Sequence, residues 1–265
     1  MPVMKIDDFE IYYEIHGEKN EVPLVLIAGL GGDLSGSILQ IPPFSKKYRV
    51  IAFDNRDSGR TSKTDIEYTV DTLAEDTYNL LNKLGVKEAH ILGGSMGGMI
   101  AQTFALNYPE MVRSLILCAT MPRGARWLSV LTIWKELIKT VPRELFIEDI
   151  LVWTFTRETL ESKSLVKMVI EQLVKYPYIQ PPDAFIRQCN AIEKFDATKR
   201  LKEIKAPTLI LVGNRDILAP VWCSEELASK IPNAELKVLQ GCAHSLSLER
   251  AKEFNKTTLE FLKKH

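Results

Sequence analysis

Ser95, Asp216 and His244 each follow a short apolar run, and together they are the side chains of this sequence best suited to nucleophilic chemistry. A serine hydroxyl is a poor nucleophile at neutral pH. It needs a base within hydrogen-bond reach, and that base needs a group to orient it. Ser95 lies in Gly93-Gly94-Ser95-Met96-Gly97, after the apolar Ala89-His90-Ile91-Leu92 and before Met99, Ile100, Thr103, Phe104 and Leu106 at roughly helical spacing. A strand that reverses at once into a helix crowds the residues two before and two after the turn, and Gly93 and Gly97 remove the Cβ atoms that would collide. The turn strains Ser95, exposes its hydroxyl and places it beside the N–H groups of a helix start.

Four histidines are candidates for the base. His16 follows an opening hairpin, His90 lies within the strand that leads to Ser95, and His265 is the last residue. His244 lies in Gly241-Cys242-Ala243-His244-Ser245, between the final strand and the last helix, on a loop expected at the carboxyl edge of the sheet. Asp216, in Val212-Gly213-Asn214-Arg215-Asp216, emerges at the same edge. Taken alone it reads as a turn or capping aspartate; between Ser95 and His244 in chain order it reads as the acceptor for the His244 Nδ1 proton. The rival acid position, Ala119-Thr120-Met121, holds no carboxylate. Developing charge on a substrate oxygen needs donors, and Ala28-Gly29-Leu30-Gly31-Gly32 is the expected source. Gly29 opens that loop, and the backbone N–H groups of Leu30 and Met96 are the assigned donors.

The elements that must position these residues follow from hydrophobic pattern. Lys5 to Phe9 and Ile11 to Glu14 read as a hairpin. Solid apolar runs follow at Leu24 to Ala28, Val50 to Phe53, His90 to Leu92, Leu115 to Cys118, Leu209 to Val212 and Leu236 to Leu239, as suits buried parallel strands. Helical patterns separate most of them, one marked by Val70, Leu73, Ala74, Thr77, Leu80, Leu81 and Leu84. The alternation predicts an α/β fold with a mostly parallel, doubly wound sheet of about eight strands.

Between Cys118 and Leu209 there is no strand candidate. Helical stripes run through Leu128 to Ile138, Ile147 to Phe155, Leu165 to Leu173 and Phe185 to Ile192, with Pro177 to Pro182 as an interruption. Residues 122–195 are therefore expected to be a helical cap inserted in a core made of residues 1–121 and 196–265. Trp127, Trp134 and Trp153 lie inside the cap and either pin it to the core or wall a substrate pocket.

Composition limits the partners. Thirty-four basic residues balance thirty-four acidic ones, and 46% of the 265 residues are hydrophobic. No field steers such a chain to nucleic acid or an anionic membrane. No apolar run approaches a membrane span, and the charged start does not suit a secretory peptide. A cytoplasmic protein is expected. Cys118, Cys189, Cys223 and Cys242 stand singly, so no metal site or disulfide framework is expected and they read as reduced core residues.

The order Ser95, Asp216, His244 and the elbow around Ser95 resemble the α/β-hydrolase fold family over nearly the whole chain. Asp54-Asn55-Arg56-Asp57-Ser58-Gly59-Arg60-Thr61-Ser62 resembles the family's loop after the fourth strand, expected to buttress the active-site edge. Ala206-Pro207-Thr208-Leu209, Ser95-Met96-Gly97-Gly98 and the cap position are similar to small esterases and lactonases, including the 3-oxoadipate enol-lactonase-like group. Two positions depart from the pattern: Ala28-Gly29 stands where many relatives have His-Gly, and Asp57 where glycine is common. The resemblance implies a cofactor-free serine hydrolase acting on a small carboxylic ester or lactone through an acyl-serine. Peroxyacid formation and carbon–carbon bond hydrolysis by the same triad are alternatives, although Ser245 replaces the aromatic residue that often follows the histidine in the latter. A receptor on a hydrolase scaffold is the non-enzymatic alternative. A dinucleotide-binding oxidoreductase fails, because Leu34 occupies the third glycine position of the fingerprint that Gly29-x-Gly31 begins.

Overall fold

The computed structural model describes residues 2–6, 9–124 and 129–265. Eight strands form one sheet: β1 (Val3–Ile6), β2 (Phe9–His16), β3 (Pro23–Ile27), β4 (Arg49–Phe53), β5 (Ala89–Gly94), β6 (Val112–Cys118), β7 (Thr208–Gly213) and β8 (Ala234–Leu239). Their spatial order is β1-β2-β4-β3-β5-β6-β7-β8. β2 pairs antiparallel with β1 and with β4, and every pair from β4 to β8 is parallel. The sheet is therefore the expected mostly parallel one. The opening hairpin differs in its boundary: Phe9 belongs to the second strand, where it pairs with Ile6 and both side chains reach the core.

Helices cover both faces: α1 (Ile41–Phe44), α2 (Val70–Lys83), α3 (Met96–Asn107), α4 (Val130–Thr140), α5 (Arg143–Thr154), α6 (Arg157–Glu161), α7 (Lys163–Lys175), α8 (Pro182–Lys194), α9 (Val221–Lys230), α10 (Leu246–Glu249) and α11 (Ala251–Leu262). The apolar runs read as solid because successive strand residues serve opposite layers. Val25, Ile27, Ile51, Phe53, Ile91 and Ile210 pack toward α2, α3 and α9. Leu24, Leu26, Val50, Ala52, Leu209 and Leu211 pack the other way, toward Phe44 of α1 and Phe254 and Phe261 of α11.

Between β6 and β7 the described residues form helices α4 to α8. The chain leaves and rejoins the sheet layer at one neck, where Arg123 and Asp196 form an antiparallel bridge and the Gly124 N–H donates to Phe195 O at 2.8 Å. The stretch expected as one stripe through Leu165 and Leu173 is preceded by the separate short helix α6. Leu165, Met168 and Leu173 stay exposed because α7 packs on α5 and α6 as an outer layer. Trp127 and Leu128 lie outside the described residues.

Topology decides where a site can form. From β3 the chain moves one way to β4, then returns to place β5 on β3's other side. Loops leaving the carboxyl ends of β3 and β5 diverge at this switch, which opens a crevice.

Candidate active site

Ser95 is the residue between β5 and α3, with φ 54° and ψ −120°. A non-glycine residue in that region is strained by on the order of 1–3 kcal/mol and persists only where its surroundings enforce it. Here the Ser95 N–H donates to Cys118 O at 2.9 Å, and the Thr120 hydroxyl donates to Ser95 O at 2.7 Å. The flanking glycines make the turn possible. A Cβ on Gly93 would lie 2.1 Å from Gly97 O, and one on Gly97 would lie 2.2 Å from Ile27 O, whereas Gly94 has open space. Gly29 lies over the serine, its Cβ position 3.2 Å from the Ser95 Cβ.

Asp216 lies in the loop after β7 and His244 in the loop after β8. Asp216 Oδ2 is 2.9 Å from His244 Nδ1. Asp216 Oδ1 accepts from the Leu218 and Ala219 N–H groups at 2.9 and 2.8 Å. Each oxygen thus has its own partners, Oδ1 the turn and Oδ2 the histidine. A carboxylate accepts, so Nδ1 carries the proton and Nε2 is left as the basic nitrogen. Ser95 and His244 together border a cavity of about 230 Å³, which Leu30 and Met96 also line. They also both border a second cavity of about 200 Å³ on the α10 side.

The loop after β3 sorts its own donors. The Gly31 N–H donates to Gln188 Oε1 at 3.1 Å and the Gly32 N–H to Gly29 O at 3.2 Å. The Leu30 and Met96 N–H groups have no protein acceptor among the described residues. The start of the loop is braced by Asn55, whose Nδ2 donates to Ala28 O at 2.9 Å. Among the described residues no group of three or more His, Cys, Asp or Glu side chains is arranged to hold a metal ion.

The sequence model for the alpha/beta hydrolase fold matches residues 22–251. The chain belongs to the alpha/beta hydrolase fold family. It is 26% identical over 261 residues to a protein of Stutzerimonas stutzeri A1501 provisionally named carbamate hydrolase RutD, covering 95% of this chain and 96% of that one. The crystal structure of the enol-lactonase from Burkholderia xenovorans LB400 superposes with a TM-score of 0.90 at 27% identity, covering 99% of this chain and all of that one. MGS-M2, an alpha/beta hydrolase enzyme from a Medee basin deep-sea metagenome, superposes with a TM-score of 0.92 at 27% identity, covering 99% and 97%. The family and these names place the chain among hydrolases.

Within this hydrolase fold, Trp134 borders the 230 Å³ cavity together with Val130, Leu131, Ile150 and Phe185 from the helices above it. Trp153 borders neither cavity that holds Ser95. On α5 it is Ile150 and Thr154 that reach the cavity, and Trp153 is turned to pack half-buried against the core. Trp127 is outside the described residues. Of the other histidines, His90 is buried with Nδ1 2.7 Å from Ser114 Oγ, and His16 pairs with Glu14.

Several residues tie the helical layer to the site, among them Gln188 and Glu249, which the sequence reading did not single out, and Asp57, which it marked only as a departure from glycine. Gln188 is fully buried on α8 and bonds both site loops. Its signal was a carboxamide in the apolar stripe of Phe185, Cys189 and Ile192. Asp57, at φ 70°, is buried and accepts from Arg187 Nε of α8 at 2.8 Å, Tyr68 Oη at 3.0 Å and Thr64 N at 2.7 Å. Glu249 accepts from the Ala243 N–H, next to His244, and from the Thr156 and Thr159 hydroxyls before and within α6. No local pattern marks Glu249.

Proposed function

We propose that this hydrolase cleaves a small carboxylic ester or lactone through an acyl-serine intermediate. The observation that carries the reading is the Asp216–His244 pair at 2.9 Å, with His244 and Ser95 walling one cavity that is also lined by Leu30 and Met96, whose N–H groups have no acceptor among the described residues. Ser95 Oγ attacks the carbonyl carbon as its proton passes to His244 Nε2. The tetrahedral oxyanion lies against the two N–H groups, the ester C–O bond breaks, and His244 returns the proton to the leaving oxygen. Water, deprotonated by His244, then attacks the acyl-serine, and the free acid and Ser95 hydroxyl are regenerated.

Residues 122–195 act in this reading as a cap over a core of 1–121 and 196–265. The cap's Val130, Leu131, Trp134 and Phe185 line about 230 Å³, which suits a small apolar acyl group. The enol-lactonase and carbamate hydrolase names both denote attack on an acyl carbonyl, so carbamates belong in the substrate panel beside esters and lactones. A cytoplasmic location fits four buried cysteine thiols, none of them in a disulfide. Burial pushes the Cys189 and Cys223 thiols up to about 12 and Cys242 up to about 11, so none is a thiolate nucleophile at neutral pH.

The test is turnover of short p-nitrophenyl esters and of lactones by the wild type and Ser95→Ala. The substitution is expected to lower kcat by about four powers of ten or more. Full activity in Ser95→Ala would refute the assignment.

A further inference from the structure

Which N–H of the loop after β3 faces the site is decided from outside that loop. Gly31 adopts φ 68°, and a Cβ there would lie 3.2 Å from the Phe185 ring of α8. Its N–H is held at 3.1 Å by Gln188 Oε1. Gln188 Nε2 donates in the opposite direction, to Arg56 O at 3.0 Å and Ser58 Oγ at 2.9 Å in the loop after β4. The partners fix the orientation of the carboxamide. Reversed, it would set NH2 against the Gly31 N–H and a carbonyl oxygen against Arg56 O. A fully buried carboxamide is costly unless its groups are paired, and here each is paired to a loop that frames the cavity.

We propose that Gln188 is a positioning residue of the oxyanion site. By engaging the Gly31 N–H it turns the preceding peptide so that the Leu30 N–H points at the developing oxyanion on a Ser95-bound substrate. The oxyanion geometry of the core is thereby set by a side chain of the helical layer above it. Arg187, the neighbouring residue on α8, is fixed to buried Asp57 at 2.8 Å, which holds the helix in register for this contact. The proposal rests on the reading of Ser95 as nucleophile and Leu30 as donor.

Gln188→Met keeps the side-chain length and removes the hydrogen bonds. On an ester that the wild type hydrolyses, kcat is expected to fall about ten- to a hundredfold with KM within about threefold, since the loss falls on the transition state. The affinity for a boronic acid, which forms a tetrahedral adduct on Ser95, should weaken by the same factor as kcat/KM, while binding of an apolar competitive alcohol is unchanged. A kcat within about threefold of wild type, or equal weakening of the alcohol and the boronic acid, would overturn the proposal. If Gln188→Met does not fold, amide exchange in the wild type decides. The Gly31 amide should exchange more slowly than that of Leu30, and the boronic acid should slow Leu30 selectively. Equal exchange, or no slowing of Leu30, would refute it. A wild type inert to esters and to the boronic acid overturns the underlying reading as well, whereas an active wild type matched by an equally active Gln188→Met overturns the positioning role alone.

Discussion

In the proposed mechanism Asp216 serves fold and chemistry together. Its Oδ1 closes a turn on Leu218 and Ala219 while Oδ2 holds His244, and the carboxylate is almost wholly buried. Asp216→Asn can keep the turn bonds through its carbonyl oxygen, yet its amide would donate to Nδ1 and favour the wrong tautomer. We expect kcat to fall by about three to four powers of ten with little change in the thermal midpoint. A small effect in steady-state kinetics would remove Asp216 from the mechanism. Ser95, Asp216 and His244 were legible in the sequence because each follows an apolar run that ends in a glycine-bearing or polar turn. The role of Gln188 was not, because its partners are 130 to 157 residues away in the chain.

At the level of elements, the strands and α2 were legible because burial on both faces, or on one helical stripe, leaves a direct mark on residue type. The layer between β6 and β7 was less so. Trp134 and Trp153 carry the same side chain on successive helices, and only tertiary packing buries the first beside the cavity and leaves the second half-buried away from it. The break between α6 and α7 likewise has no proline or glycine to announce it. Asp57 and Arg187 join α8 to the loop after β4 with little exposure of either charge. Removing the guanidinium leaves the buried Asp57 carboxylate with its Tyr68 and Thr64 hydrogen bonds but no paired charge, so Arg187→Met should destabilise the fold by about 3 kcal/mol in denaturant titration. Asp57→Gly added to it removes the unpaired charge and the strain of φ 70° at the expense of the Tyr68 and Thr64 hydrogen bonds, and should make the double loss smaller than the sum of the single ones. Additive losses in the double variant would contradict the pairing.

For the whole molecule, sheet order and site location are one fact. The reversal between β3 and β5 makes the crevice, and the parallel β7 and β8 deliver Asp216 and His244 to the same edge. The family pattern in the sequence carried this much, since it depends on strand order and not on individual contacts. Beneath that edge, burial pushes His90 down to about 4, with the charges of Arg113 and His265 adding in the same direction. The unfolded chain therefore takes up a proton on His90 near pH 6.5, the folded protein only near pH 4, and stability rises with pH across that window. His90→Gln should flatten the fall of thermal midpoint between pH 7 and pH 4, removing up to about 3 kcal/mol of the pH-dependent change. An unaltered pH slope would show that His90 does not titrate this way.

A covalent acyl group on Ser95 can be caught by intact-mass and peptide mass spectrometry of enzyme acid-quenched during turnover of a p-nitrophenyl ester. An acyl-serine intermediate should appear as a mass increase of one acyl group, located on the peptide containing Ser95 and absent from Ser95→Ala. Sustained hydrolysis by Ser95→Ala, or an adduct that maps to another residue, would contradict it.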